Sequence, residues 1–112
     1  MDNCLFCKIV MKELASDFVY EDEQCVAFRD IAPAAPVHIL VIPKQHVNSL
    51  NEATDECLTG HLVHVAAKIA KKEGMADQGY RVVINTGENG GQTVPHLHVH
   101  LLGERAMQWP PG

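Results

Sequence analysis

Residues 95–102 read PHLHVHLL, a proline followed by histidine and aliphatic residues in strict alternation, closing on two leucines. Successive side chains of a strand point to opposite faces, so His96, His98 and His100 share one face while Leu97, Val99 and Leu101 take the other. The aliphatic face suits a packed core. A row of imidazoles does not, because each ring brings a donor and an acceptor that need partners once buried. Two kinds of chemistry use such a row. Neutral imidazoles two apart can jointly bind zinc or copper. Alternatively they handle phosphate, one ring attacking phosphorus while its neighbours orient the anion and pass protons near neutral pH. The preceding loop, NTGENGGQTV at 85–94, favours phosphate: its glycines free backbone N–H groups, and Asn85, Gln92 and Thr93 add side-chain donors, together an anion cradle. The acidic residues adjoining the row are only Glu88 before it and Glu104 after it.

Outward from this stretch, PVHILVIP at 36–43 is apolar on both faces apart from His38 and reads as a buried central strand. FVYEDEQCVAFRD at 18–30 gives two short strands, 18–21 and 24–28, around an acidic, solvated hairpin tip. CLFCKIVMKE at 4–13 spaces Leu5 with Ile9 and Phe6 with Val10, as a short helix does. The best helix is 54–73, where Leu58, Leu62, Val65 and Ile69 form one face, Thr54 caps the start and Gly74 ends it. YRVVIN at 80–85 is a further strand. Two helices and about five strands without repeated βαβ alternation predict an α+β domain, residues 1–112, built on an antiparallel sheet.

The chain has 112 residues, 46% hydrophobic and 21% charged, an ordinary globular balance. A formal net charge of -5 with scattered Lys and Arg argues against broad nucleic-acid binding. No apolar stretch approaches the roughly 20 residues of a membrane span, and the first ten residues lack a signal peptide's pattern, so the expectation is a cytoplasmic protein without a membrane partner. Reduced thiols are then the rule for Cys4, Cys7, Cys25 and Cys57. Cys25 and Cys57 read as small, at least partly buried hydrophobes. His61 and His64, three apart on the long helix, read as an exposed flank or a subunit contact.

HLHVHLL at 96–102, with FRDIAP at 28–33, HILVIPKQH at 38–46, GYRVVINTGENGGQ at 79–92 and the ending WPPG, resembles the histidine triad (HIT) family over nearly the whole chain. The likeness is greatest to its Hint branch, whose members hydrolyse adenosine 5'-phosphoramidates and related aminoacyl adenylates as homodimers. The resemblance implies that His98 attacks the α-phosphorus and is transiently nucleotidylated, needing no cofactor, before water releases AMP. His96 would steady His98 through its backbone carbonyl, and His100 and His38 would contact the phosphate and assist proton transfer. Asn85, Gly91 and Thr93 match the family's α-phosphate contacts, with Thr93 where Ser is usual. Asp30 falls where the family holds the ribose hydroxyls. Leu14, Phe28 and Ile31 match its apolar walls around a purine. Trp109 would reach toward the partner subunit's site, and Pro95 and Glu104 stand where Tyr and Gly are usual.

CLFC is a C-x-x-C pair, half of a zinc site. In some bacterial relatives that pair joins two histidines on a structural zinc; the matching residues are Cys4, Cys7, His46 and His96. Two other readings use the same site: a dinucleotide polyphosphate hydrolase or nucleotidyl transferase, against which the WPPG ending argues, and a nucleotide- or zinc-binding regulatory module without turnover.

Overall fold

The computed structural model describes residues 3–112. Helix α1 spans Leu5–Val10, strands β1 and β2 span Phe18–Glu21 and Cys25–Arg29, and β3 spans Val37–Pro43. A short 3-10 turn at Leu50–Glu52 leads into α2, Glu56–Lys72, followed by β4 at Tyr80–Val83 and β5 at Val99–Gly103. All five strands pair antiparallel in the order β1-β2-β3-β5-β4, so β3 is central, as its apolar run predicts. The fold is α+β, an antiparallel sheet with two helices.

Strand alternation sorts the core into two layers. Cys25, Ala27, Ile39, Val41, Val99 and Leu101 face α2, whose Leu62, Val65, Ala66, Ile69 and Ala70 close over them. Burying each Val, Leu or Ile there is favourable by roughly 1.5–3 kcal/mol. The opposite face presents Val26, Phe28, Leu40 and Ile42, which α1 covers at one end with Phe6 and Ile9. At six residues, α1 is too short to cover the whole face. The histidines lie on this partly covered side.

Several local details differ from expectation. Asp55, not Thr54, caps α2: its Oδ1 accepts the N–H groups of Cys57 and Leu58 at 3.0 and 3.2 Å. A carboxylate at that end also complements the helix dipole. At the other end, Lys71 and Lys72 fill the last turn and Gly74 takes φ +81°. The hairpin tip is not simply solvated, because half-buried Asp22 organises it. Its Oδ1 accepts the N–H groups of Gln24 and Cys25, and its Oδ2 accepts from Tyr20 Oη at 2.9 Å and His61 Nε2 at 2.6 Å. Burial works against the charge, yet these bonds outweigh it and hold the Asp22 carboxyl well below its usual range. His61 therefore ties α2 to the hairpin rather than forming an exposed flank, while His64 is exposed. Cys25 is buried but Cys57 is exposed, because it sits in the first turn of α2 on the side facing water.

Where β5 ends, Glu104 adopts φ +68°, a left-handed conformation that a Cβ makes costly. Replacing Glu104 by glycine should stabilise the fold by about 1 kcal/mol and raise the melting temperature by a few degrees. Thermal unfolding of the variant beside the wild type measures this.

Candidate active site

β5 carries His100, and the segment just before it carries His96 and His98. The ladder with β3 runs only to the Val41–Val99 pair; before it the chain bends at 94–96, the His96 N–H donating to the Val94 carbonyl at 2.8 Å, and the Leu97 N–H anchors it to the Val47 carbonyl at 2.7 Å. The histidine row thus survives beyond the paired strand, with His98 and His100 rings 4.9 Å apart. Leu97, Val99 and Leu101 pack into the α2 layer, as the alternation requires.

Ring protonation follows from the bonds. The His96 carbonyl accepts the Nδ1–H of His98 at 2.7 Å, so Nε2 of neutral His98 carries a free lone pair. At His38, Nδ1 accepts the Ala34 N–H at 3.0 Å, which leaves the proton on Nε2. That Nε2–H donates to His100 Nδ1 at 2.9 Å and places the His100 proton on its own Nε2. The His100 Nε2 is buried without a partner among the described residues. A bare imidazole nitrogen and an unused N–H therefore belong to neighbouring rings.

Both rings line a cavity of about 390 Å³, within the range of small-molecule sites. Leu14, Phe28, Asp30, Ile31 and Thr93 share its wall, so the structure brings together seven of the residues marked by sequence. Ile31 is 98% exposed, an apolar side chain left bare at the mouth. His38 stands behind His100, not in the wall. Both of its nitrogens are engaged, Nδ1 by the Ala34 N–H and Nε2 by His100. Asp30 Oδ2 lies 3.5 Å from His38 Nε2, and Asp30 Oδ1 accepts the Ala32 N–H.

Asn85, Gly91 and Trp109 are not in the wall either; Trp109 is 82% exposed. Nor does the glycine loop form the expected open cradle. Gly91 N–H donates to Glu88 O, Gln92 N–H to Gly87 O, and Gly87 N–H to Gln92 Oε1, so the loop closes on itself. Gly90 packs so tightly there that a Cβ would stand 2.4 Å from the Thr86 carbonyl oxygen. From this loop only Thr93 and Val94 line the cavity.

The residues that sequence reasoning passed over come chiefly from α1. Phe6 stands edge-on to His96, His98 and Phe28, with centroids 5.9, 5.1 and 5.6 Å away, and lines the cavity with Leu5 and Ile9. Its place between the two cysteines was the available signal.

Those cysteines meet the two expected histidines. The ligand atoms of Cys4, Cys7, His46 and His96 all lie within 4.8 Å of one another. Cys4 Sγ is 3.3 Å from His96 Nδ1, and Cys7 Sγ is 3.2 Å from His46 Nδ1 and 3.6 Å from His96 Nδ1. Sulfur and nitrogen on one tetrahedral zinc stand about 3.5 Å apart. Both rings are oriented from behind: His96 Nε2–H donates to the Pro43 carbonyl at 2.9 Å and His46 Nε2–H to Asn48 Oδ1 at 2.6 Å, so each Nδ1 lone pair faces the thiols. This donor set fits zinc.

The HIT domain family model matches residues 11–107, and the chain belongs to the HIT family. It is 58% identical to an uncharacterized HIT-like protein of Synechococcus elongatus, over 99% of this chain and 98% of that one. Among solved structures it resembles a HIT family hydrolase from Legionella pneumophila, with TM-score 0.95 and 48% identity over 98% of this chain and 100% of that chain. It also resembles a histidine triad nucleotide-binding protein from Candida albicans, with TM-score 0.83 and 31% identity over 96% and 83%.

Burial, together with the nearby His98 and His38 rings, lowers the His100 pKa from 6.5 to about 4, against the pull of Asp30. Burial also lowers that of His38, again opposed by Asp30. Unfolded, His100 binds its proton near 6.5 and so takes up more protons than the folded chain between that value and about 4. Folding stability should therefore fall as pH drops through this window and carry no such penalty above it. Denaturant unfolding at stepped pH, compared with His100→Gln, should show a shallower loss in the variant.

Proposed function

We propose that this protein is a purine nucleoside phosphoramidase of the Hint branch, hydrolysing the P–N bond of adenosine 5'-phosphoramidates and related aminoacyl adenylates to AMP. The observation that carries this is the adjacent pair of opposite ring states, a lone pair on His98 Nε2 and a proton on His100 Nε2, beside one cavity. The first is a nucleophile and the second a donor to a leaving group.

The purine packs against Phe28, Leu14 and Ile31, and the Asp30 carboxylate accepts the ribose hydroxyls, leaving the α-phosphate at His98. Nε2 of His98 forms a bond to phosphorus as the P–N bond breaks. A proton taken up with the anionic substrate charges the His38–His100 pair, the amine leaves with the Nε2 proton of His100, and the pair is left neutral. Water then attacks the nucleotidyl-histidine, returns a proton to His100 and releases AMP. Throughout, the His96 carbonyl holds the Nδ1–H of His98 and stabilises the positive charge that the ring gains. Thr93, on the cavity wall, hydrogen-bonds the phosphoryl oxygens, and the family resemblance adds Asn85 and Gly91 to these contacts. In a homodimer, Trp109 reaches the partner's cavity and shapes leaving-group preference.

Zinc, held by Cys4, Cys7, His46 and His96, has a structural part in this reading. It pins α1 and Phe6 beside the histidine row, and no step of the chemistry passes through it.

AMP release from adenosine 5'-phosphoramidate tests the reading. Turnover should continue in the presence of a strong chelator, His98→Ala should lower it by at least about a thousandfold, and His100→Gln by about a hundredfold or more. Zinc analysis should find one equivalent per chain, lost in Cys7→Ser together with thermal stability. AMP release that a chelator abolishes and zinc restores would make the metal catalytic.

A further inference from the structure

Arg105, just past the left-handed Glu104, turns back over the loop that joins β2 to β3. Its Nε donates to the Ala34 carbonyl at 3.1 Å, and its Nη1 to the Ala106 carbonyl at 3.1 Å. That loop has few anchors of its own. Pro33 and Pro36 have no N–H to donate. The Asp30 N–H donates to His38 O and the Ala32 N–H to Asp30 Oδ1, both near the loop's ends. Among the described residues, Arg105 is the one side chain from outside the loop that donates to its backbone.

The loop's middle matters because the Ala34 N–H donates to His38 Nδ1. We propose that Arg105 is a positioning residue, clamping Ala34 so that the His38–His100 pair keeps the tautomers that turn the His100 Nε2–H toward the cavity. The kinetic half of this rests on the phosphoramidase reading; the tautomer half does not.

A neutral imidazole has one ring proton. While Ala34 donates to His38 Nδ1, that proton is on Nε2, and His100 must accept it at Nδ1 and keep its own on Nε2. Without the Ala34 bond the pair can reverse, with His100 Nδ1–H donating to His38 Nε2. His100 then presents a bare lone pair, the wrong state for protonating a departing amine. Asp30 Oδ2, 3.5 Å from His38 Nε2, favours the original direction, so loss of the clamp weakens the bias without abolishing it. The left-handed Glu104 backbone fits the same account: it is tolerated because it aims Arg105 onto the loop.

The test compares wild type, Arg105→Ala, Arg105→Lys and Glu104→Gly. It reads kcat and KM for adenosine 5'-phosphoramidate, and the nitrogen-15 shifts of the His38 and His100 rings in the free protein. Arg105→Ala should lower kcat about tenfold, the scale of one lost hydrogen bond, with KM changed less than about twofold. In the same variant the His100 Nε2 signal should move toward the unprotonated position. Arg105→Lys, which keeps a donor, should recover most of both effects, and Glu104→Gly should leave the tautomers unchanged. Unaltered ring shifts in Arg105→Ala, or a loss confined to KM, would overturn the proposal. No turnover by the wild type would sink the phosphoramidase reading alone, and the ring shifts would still decide the clamp.

Discussion

The bond from His98 Nδ1–H to the His96 carbonyl, 2.7 Å long and buried, is the contact on which the site depends. It fixes where His98 has its proton, and it is only as firm as His96. That residue is fully buried and held by the Pro43 carbonyl behind its ring, by the two thiols in front and by the edge of Phe6. The N-terminal helix, the end of β3 and the histidine segment thus meet at one residue. A metal held among the thiols would stiffen the support of His98.

The two working rings take their states from backbone groups of opposite polarity. A carbonyl at His96 sets His98, and an amide N–H at Ala34 sets His38 and, through it, His100. An acceptor at one end and a donor at the other yield a lone pair and a proton side by side. Burial supports this by disfavouring charge on His38 and His100. The sheet makes the arrangement possible: α2 fills one face with aliphatic packing, and short α1 leaves room on the other for the cavity.

Much of this was legible in residue order because strand periodicity is strict. Alternation in 96–101 put the imidazoles on one face and the aliphatics on the other, and the unbroken apolar run at 37–43 identified the central strand. The matched positions of Cys4, Cys7, His46 and His96, drawn from the family resemblance, do come together. What stayed hidden was chiefly backbone. Nothing in the letters shows that the carbonyls of Pro43 and His96 or the N–H of Ala34 fix ring protons, since every residue but proline offers the same groups. The glycine loop misled for a related reason: glycine permits a tight turn as readily as an open cradle, and here its N–H groups close the turn. Thr54 and Asp55 are both good caps, and only the start of α2 at Glu56 chooses between them. Phe6 looked like helix core and proved to be core and cavity wall together.

The central claim is that His98 attacks phosphorus through Nε2. Mass spectrometry of protein quenched during turnover of adenosine 5'-phosphoramidate tests it most directly. The account predicts a mass gain of one adenylyl group, mapped to His98 and absent from His98→Ala. Turnover with no adduct, or an adduct on another residue, would contradict it.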